Sequence, residues 1–288
     1  MEVLLNELSI HNQFDSFEDF RDTALLDIIQ FLKFHIDGYI SVLKKSDIYS
    51  RQVYNGIILQ RVLTSPDTGR SDEIRKFKSQ LFSIFSEPFW DVNSFCGEGS
   101  KYFYGDVIVN NSALAECYER KINLISLNPS EYLQNVINIK KDCFSEDLLN
   151  FTNIKSLVHH LYINKCVSFE LFCRNYYVKT KINFTKINIK DSFDLLSESD
   201  EKQFKSSFEM FSNTDWNNII QQGGKGAAKT GLAYEKYHNQ DYFKRKYSLS
   251  NENVIYKFRV TQKYRAFGFR KDDIFYILEF DLTHKLSD

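Results

Sequence analysis

Between Tyr256 and Ala266 the chain alternates. Lys257, Arg259, Lys263 and Arg265 share one parity, while Tyr256, Phe258, Val260, Tyr264 and Ala266 share the other. Successive side chains of an extended chain leave opposite faces of a sheet, so the spacing predicts a hairpin with one cationic and one apolar face. With a turn at Val260 to Gln262, Lys257 would oppose Arg265 and Arg259 would oppose Lys263. Like charges directly opposed destabilise a sheet by roughly 0.2–1 kcal/mol per pair, a cost that an anion on that face would offset. The competing reading is a solvated edge whose charges resist aggregation.

The surrounding pattern predicts strand, helix, helix and then a meander. KINFTKINIKDSFDLL (181–196) reads as extended, Ser197 to Phe211 and 214–222 as helices, and 253–260, 263–269 and 274–281 as antiparallel strands. Ahead of it, residues 2–12 read as a short strand region. Asp15 or Ser16 caps a helix reaching about His35, and 56–69 leads into a turn at Pro66-Asp67. Helices are expected over 71–86, 110–121, 154–163 and 168–176, and extended runs over 123–127 and 136–141. The change of pattern puts a domain boundary near residue 180. The expected fold class is α+β, with a mixed α/β regulatory or sensing domain over 1–180 and a second domain over 181–288.

Composition narrows the function classes. At 288 residues the chain is long for one core, and 43% hydrophobic with 16% aromatic content excludes general disorder. A formal charge of -1 means that any site for a polyanion must come from local arrangement. That arrangement exists: from Gln221 to Lys271 there are 12 basic residues against 3 acids, a net of +9. Cys96, Cys117, Cys143, Cys166 and Cys173 form no C-x-x-C pair and read as free thiols of a reducing compartment. No apolar run reaches the ~20 residues of a membrane span, and MEVLLNELSIHNQFD lacks the features of a secretory signal. The expectation is a cytoplasmic protein without a membrane partner.

YKFRVTQKYRAFGF, with its basic strand pair ending in Tyr-Arg, and IFYILEFDLTHKLSD, with its Thr-His pair after the last strand, resemble the RelE/HigB/ParE superfamily of bacterial toxins. The resemblance covers about 100 residues, from about 183 onward. It implies a RelE-like antiparallel sheet with two preceding helices, and an endoribonuclease that cleaves RNA, commonly messenger RNA at the ribosome, without a metal or other cofactor. Arg265 then matches the clamp on the scissile phosphate, and Lys257 and Arg259 match the paired basic residues of the preceding strand. His284 matches the Thr-His histidine, the expected general base or acid. Lys263 would assist on the phosphate, and Lys225, Lys229 and Arg270 are further expected RNA contacts. The implied partners are RNA, the ribosome, and an antitoxin or regulatory protein. One departure stands out: Lys285, Leu286 and Ser287 follow His284 where RelE-type members often carry a tyrosine.

ParE-like relatives share the fold but act on a protein, so a non-catalytic protein- or RNA-binding module is the alternative. In the first 180 residues, LLNELSIHNQFDSFEDF, EPFWD and ALAECYERKINLIS resemble uncharacterised bacterial proteins of phage-defence neighbourhoods, which leaves an enzyme in that domain as a third reading. GGKGAAKTG (223–231) lacks the G-x-x-x-x-G-K-[ST] order of a nucleotide loop and reads as a basic surface loop. His159-His160 is adjacent on a helix and does not read as a metal pair. Glu116 and Glu119 read as surface acids.

Overall fold

A computed structural model describes residues 1–64, 86–127, 130–223 and 231–286. They fall into two units, Met1–His160 and Leu161–Asp288. In the first, β1 (Glu2–Leu5) leads to the expected capped helix. The Ser16 hydroxyl accepts the Asp19 amide, and the Asp19 carboxylate accepts the Asp15 amide. Both fill backbone groups that a helix start leaves open. The helix runs as α1 (Phe17–Phe20), a π turn (Arg21–Leu25) and α2 (Leu26–Ile36), then passes to β2 (Ser41–Leu43). A hairpin, β3 (Gln52–Tyr54) and β4 (Ile57–Ile58), and α3 (Leu59–Thr64) follow. The expected turn at Pro66-Asp67 and the body of the expected helix over 71–86 lie outside the described residues.

Next come β5 (Tyr102–Tyr104), β6 (Val107–Ile108), the Ser112-capped α4 (Ala113–Arg120) and β7 (Asn123–Ile125). Then β8 (Val136–Lys141), β9 (Phe144–Phe151) and α5 (Ile154–Ile163) follow. The seven-stranded order is β2-β1-β7-β9-β8-β5-β6, parallel from β2 to β9 and antiparallel beyond. Strand β9 had no expectation behind it: after an exposed Phe144, FSEDLLNF is polar through Asp147 and buries side chains only in its second half.

The second unit contains α6 (Phe169–Tyr176), whose Phe169 meets Phe193 edge-on at 5.7 Å and stacks with Phe208 at 6.5 Å. That packing groups α6 with the residues after it, so the division precedes the position near 180 read from the sequence. The run 181–196 is extended only at β10 (Ile182–Asn183) and ends in a 3-10 turn at Phe193–Leu195, a correction to the expected long strand. Asn183 and Asn188 accept the amides of Thr185 and Asp191 on their side-chain oxygens, local bonds that compete with a ladder. Helix α7 (Glu198–Asn213) starts on a Ser197–Asp200 capping box, and α8 (Trp216–Gln221) on Asp215. After β11 (Glu235–Lys236) comes α9 (Gln240–Lys246), which the sequence reading lacked. The meander is β12 (Ile255–Arg259), β13 (Arg265–Lys271) and β14 (Ile274–Asp281).

The five-stranded order is β10-β14-β13-β12-β11, antiparallel except for β10 beside β14. One face buries Phe258, Phe275 and Phe280 against Phe204, Phe208 and Phe211 of α7, with ring centroids 4.4 to 6.3 Å apart. This is the expected apolar parity. The other face carries a smaller core, in which Phe243 of α9 meets Phe267 and Tyr237 at 5.1 and 5.6 Å. The chain is therefore α+β. Among the described residues no helix is long and apolar enough to cross a membrane.

Candidate nucleic-acid interface

The hairpin keeps the expected parity but not the expected register. Arg259 opposes Arg265, Lys257 opposes Phe267, and Ala266 opposes Phe258. The connection runs from Val260 to Tyr264 rather than to Gln262, which slides the pairing by two residues and leaves both faces unchanged. The Val260 and Thr261 amides donate to the Tyr264 carbonyl, and the Thr261 hydroxyl accepts the amides of Lys263 and Tyr264. Lys263 thus sits in the turn, exposed, instead of opposite Arg259.

Across three strands the register gives one charged row: Arg259 on β12, Arg265 on β13 and Asp281 on β14. Arg265 directs Nη1 at the carbonyls of Thr261 and Tyr264, each at 2.9 Å. Burial, then the neighbouring Arg259 charge, lowers the Arg265 pKa, while Glu235 and Asp281 act the other way. A guanidinium stays cationic through such a shift. Arg259 has its Nε buried with no hydrogen-bond partner. Beside it opens a cavity of about 430 Å³ lined in part by Lys202, Ser206, Ser207 and Thr261.

Asp281 is 3% exposed and holds the chain that follows it. Its carboxylate accepts the amides of Thr283 and Leu286, each at 3.1 Å. His284 lies in that turn with φ +62, half-buried, at the same end of the sheet as the arginine row. Arg259, Lys263, Arg265 and His284 are therefore brought to one sheet end.

Other expected contacts are placed elsewhere. Lys257 shares the cationic parity but is 9% exposed, with Nζ 3.6 Å from Glu235 and 5.8 Å above the Tyr237 ring. Arg270 is on the opposite face at the far end of β13, over Trp216 at 3.9 Å and bonded to Asp273 at 2.9 Å. Lys225 and Lys229 lie outside the described residues. The local surplus of +9 is also reduced by acids from outside that window. Lys246 bonds Asp191 and Glu279, both at 2.7 Å. Burial opposes the Lys246 charge, yet those two hydrogen bonds raise its pKa in balance.

Asp281 and Glu279 were missed in the sequence. Their signal was present: two carboxylates at one parity inside the otherwise apolar IFYILEFD. Glu116, read as a surface acid, is fully buried and bonds Arg120 at 2.6 Å, a correction. Its carboxylate also accepts the Ser94 hydroxyl and the Phe95 amide, which satisfies the buried charge. Among the described residues no group of three or more His, Cys, Asp or Glu side chains could hold a metal ion. No family model matches the chain, and neither do curated proteins or solved structures.

Proposed function

We propose that the second unit is a RelE/HigB-like endoribonuclease, toxin-like and suited to an anti-phage effector, that cleaves RNA by attack of the ribose 2'-OH. The observation that carries this reading is the Arg259–Arg265 pair. Two cations face each other across a strand pair, and one has a buried N–H with no partner. A phosphate diester is the natural complement, because its oxygens accept from guanidinium forks and its negative charge, which grows toward two in the transition state, lies between the two cations.

In the proposed reaction the 2'-oxygen forms a bond to phosphorus as the bond to the 5'-oxygen breaks. The products are a 2',3'-cyclic phosphate and a 5'-hydroxyl. Arg259 and Arg265 hold the non-bridging oxygens as their charge grows, and Lys263 in the turn meets the neighbouring phosphate. His284 moves the proton. Asp281 fixes the turn that carries His284 and balances Arg265. Lys257 contributes positive potential from two residues along the same face, its charge shared with Glu235. The first unit serves as a regulatory domain, and RNA on the ribosome is the proposed target, with an antitoxin or regulatory protein as partner.

A second reading, a non-catalytic RNA- or protein-binding module, is favoured by one observation: Arg265 Nη1 is already committed to turn carbonyls. One experiment separates the two. Wild type, Arg259→Ala, Arg265→Ala and His284→Ala are expressed under tight control, and RNA ends bearing 2',3'-cyclic phosphate are sequenced. The nuclease reading expects new ends in wild type, reduced about 100-fold or more in each variant. Retained RNA binding without new ends would give the second reading.

A further inference from the structure

The cavity beside Arg259 lies between one stripe of α7, which includes Lys202, Ser206 and Met210, and the end of β12. We propose that it seats the RNA phosphate next to the scissile one, held by Lys202, Ser206 and Arg259. Lys263 takes the phosphate on one side of the cut, and this cavity takes the one on the other. This deepens the ribonuclease reading, and rests on it for the choice of RNA over another polyanion.

The charge of the lining favours an anion. It holds two cations, Lys202 and Arg259, and no carboxylate. Lys202 and Ser206 are four residues apart, so they share one face of the helix. The acids of α7 are engaged elsewhere. Glu198 pairs with Lys165 at 2.8 Å, and Glu201 accepts the Tyr162 hydroxyl at 2.8 Å. Asp200 accepts the Ser197 hydroxyl at 2.6 Å, and Glu209 lies 3.8 Å from Lys205. Among the described residues no carboxylate forms an ion pair with Lys202. The lining also has no aromatic ring on which a base would stack, which favours a phosphate over a base.

Arg259 belongs to both the arginine row and the cavity. Its backbone is fixed in advance: the amide donates to the Leu232 carbonyl at 2.6 Å, and the carbonyl accepts the Ser207 hydroxyl at 3.2 Å. A site fixed in this way loses little freedom on binding. The Arg259 Nε–H is buried without a partner, a state that native structures rarely leave unanswered. A guanidinium carries five N–H donors, enough to serve two successive phosphates. Thr261 ties the cavity to the second arginine, because its carbonyl accepts Arg265 Nη1 at 2.9 Å. The Thr261 hydroxyl accepts the amides of Lys263 and Tyr264 and so retains its O–H to donate.

The test uses the full chain and a fluorescein-labelled single-stranded RNA of about eight nucleotides. Every ribose carries a 2'-O-methyl group, which removes the nucleophile, so binding is read without cleavage. Anisotropy is followed across a range of salt for two unrelated base sequences. Lys202→Ala should weaken both about fivefold and make the slope of log K against log salt shallower by about 0.7. Lys202→Arg should restore the slope, and Ser206→Ala should weaken binding about twofold with the slope unchanged. Lys271→Ala, an exposed lysine at the far end of β13, should bind as wild type. Lys202 and Ser206 are both exposed on the helix, where alanine is well tolerated, so these variants fold.

Unchanged affinity and slope in Lys202→Ala overturns the proposal, as does an equal loss in Lys271→Ala. A loss confined to one base sequence would make the cavity a base pocket and also overturn it. So would displacement of the RNA, at fixed ionic strength, by inorganic phosphate or by poly-glutamate as readily as by unlabelled RNA. Cyclic-phosphate ends from wild type, with wild-type affinity in Lys202→Ala, would keep the nuclease and remove this site. Lys202-dependent affinity without cyclic-phosphate ends would do the reverse.

Discussion

At the scale of single residues, partners decide what a charge does. Glu7 is fully buried and accepts the Ala113 amide at the start of α4, with Lys45, Arg51 and Cys117 as its electrostatic neighbours. Burial raises its pKa from 4.5 to about 7, against the pull of that amide and Lys45. Between these values the unfolded chain has lost the proton and the folded chain keeps it. Stability is therefore largest below the unfolded value and falls as pH rises toward the folded one, by about 3 kcal/mol in all. Glu7→Gln keeps an oxygen for the Ala113 amide and does not ionise. Urea unfolding should show it more stable than wild type at pH 8 by up to about 3 kcal/mol, with little difference at pH 4. Glu7 looked in the sequence like any acid after a short strand. Likewise the cations of 246–265 were legible, but the acids that neutralise Lys246 and Lys257 were not, because Asp191, Glu279 and Glu235 reach them by contacts that spacing does not encode.

At the scale of elements, period sets the face and turn length sets the register. The parity of residues 256–266 placed Phe258 and Ala266 in the core, where both are fully buried. The same parity allows every even slip, and the Val260–Tyr264 turn selects the one that opposes Arg259 to Arg265. Gly268 fixes the neighbouring pair. The β13–β14 register shifts between Phe267 and Gly268, and a Cβ at Gly268 would overlap the Tyr276 carbonyl oxygen and the Phe275 ring. Both are hemmed in, the first by the ladder and the second by a fully buried core position. Gly268→Ala should cost about 1–3 kcal/mol in chemical unfolding, with near-native activity where the fold survives. Helix α9 had no amphipathic run long enough to announce it. It is held by its Asn239 cap, by Phe243 against the sheet, and by Lys246 paired with Asp191 and with Glu279 of β14.

At the scale of the whole molecule, net charge and site charge part company. The chain totals -1, and only a few cations of its basic window are without a nearby acid at the arginine row. RNA affinity should accordingly fall gently with salt. A plot of log K against log salt should have a slope of about -2 to -4 for single-stranded RNA, measured by fluorescence titration. A slope near -8 would mean that many more lysines meet phosphate than the arginine row and Lys263 provide. The two units follow the same logic: α6 looked in sequence like the end of the first domain, and its phenylalanine stacking groups it with the second.

What the chain's order of residues determined by itself was local: the cap at Asp15 or Ser16, the helices over 110–121 and from Ser197, the α+β class, the antiparallel meander and its two faces. These depend on periodicity and on bonds between near neighbours, which a sequence states directly. Only the tertiary structure decided that Arg259 meets Arg265, that Asp281 closes their row, that Lys257 is spent on Glu235, and that the Phe275 ring fills the space over Gly268. Each depends on which strands lie side by side and in what register, and that is settled by packing among residues far apart in the chain.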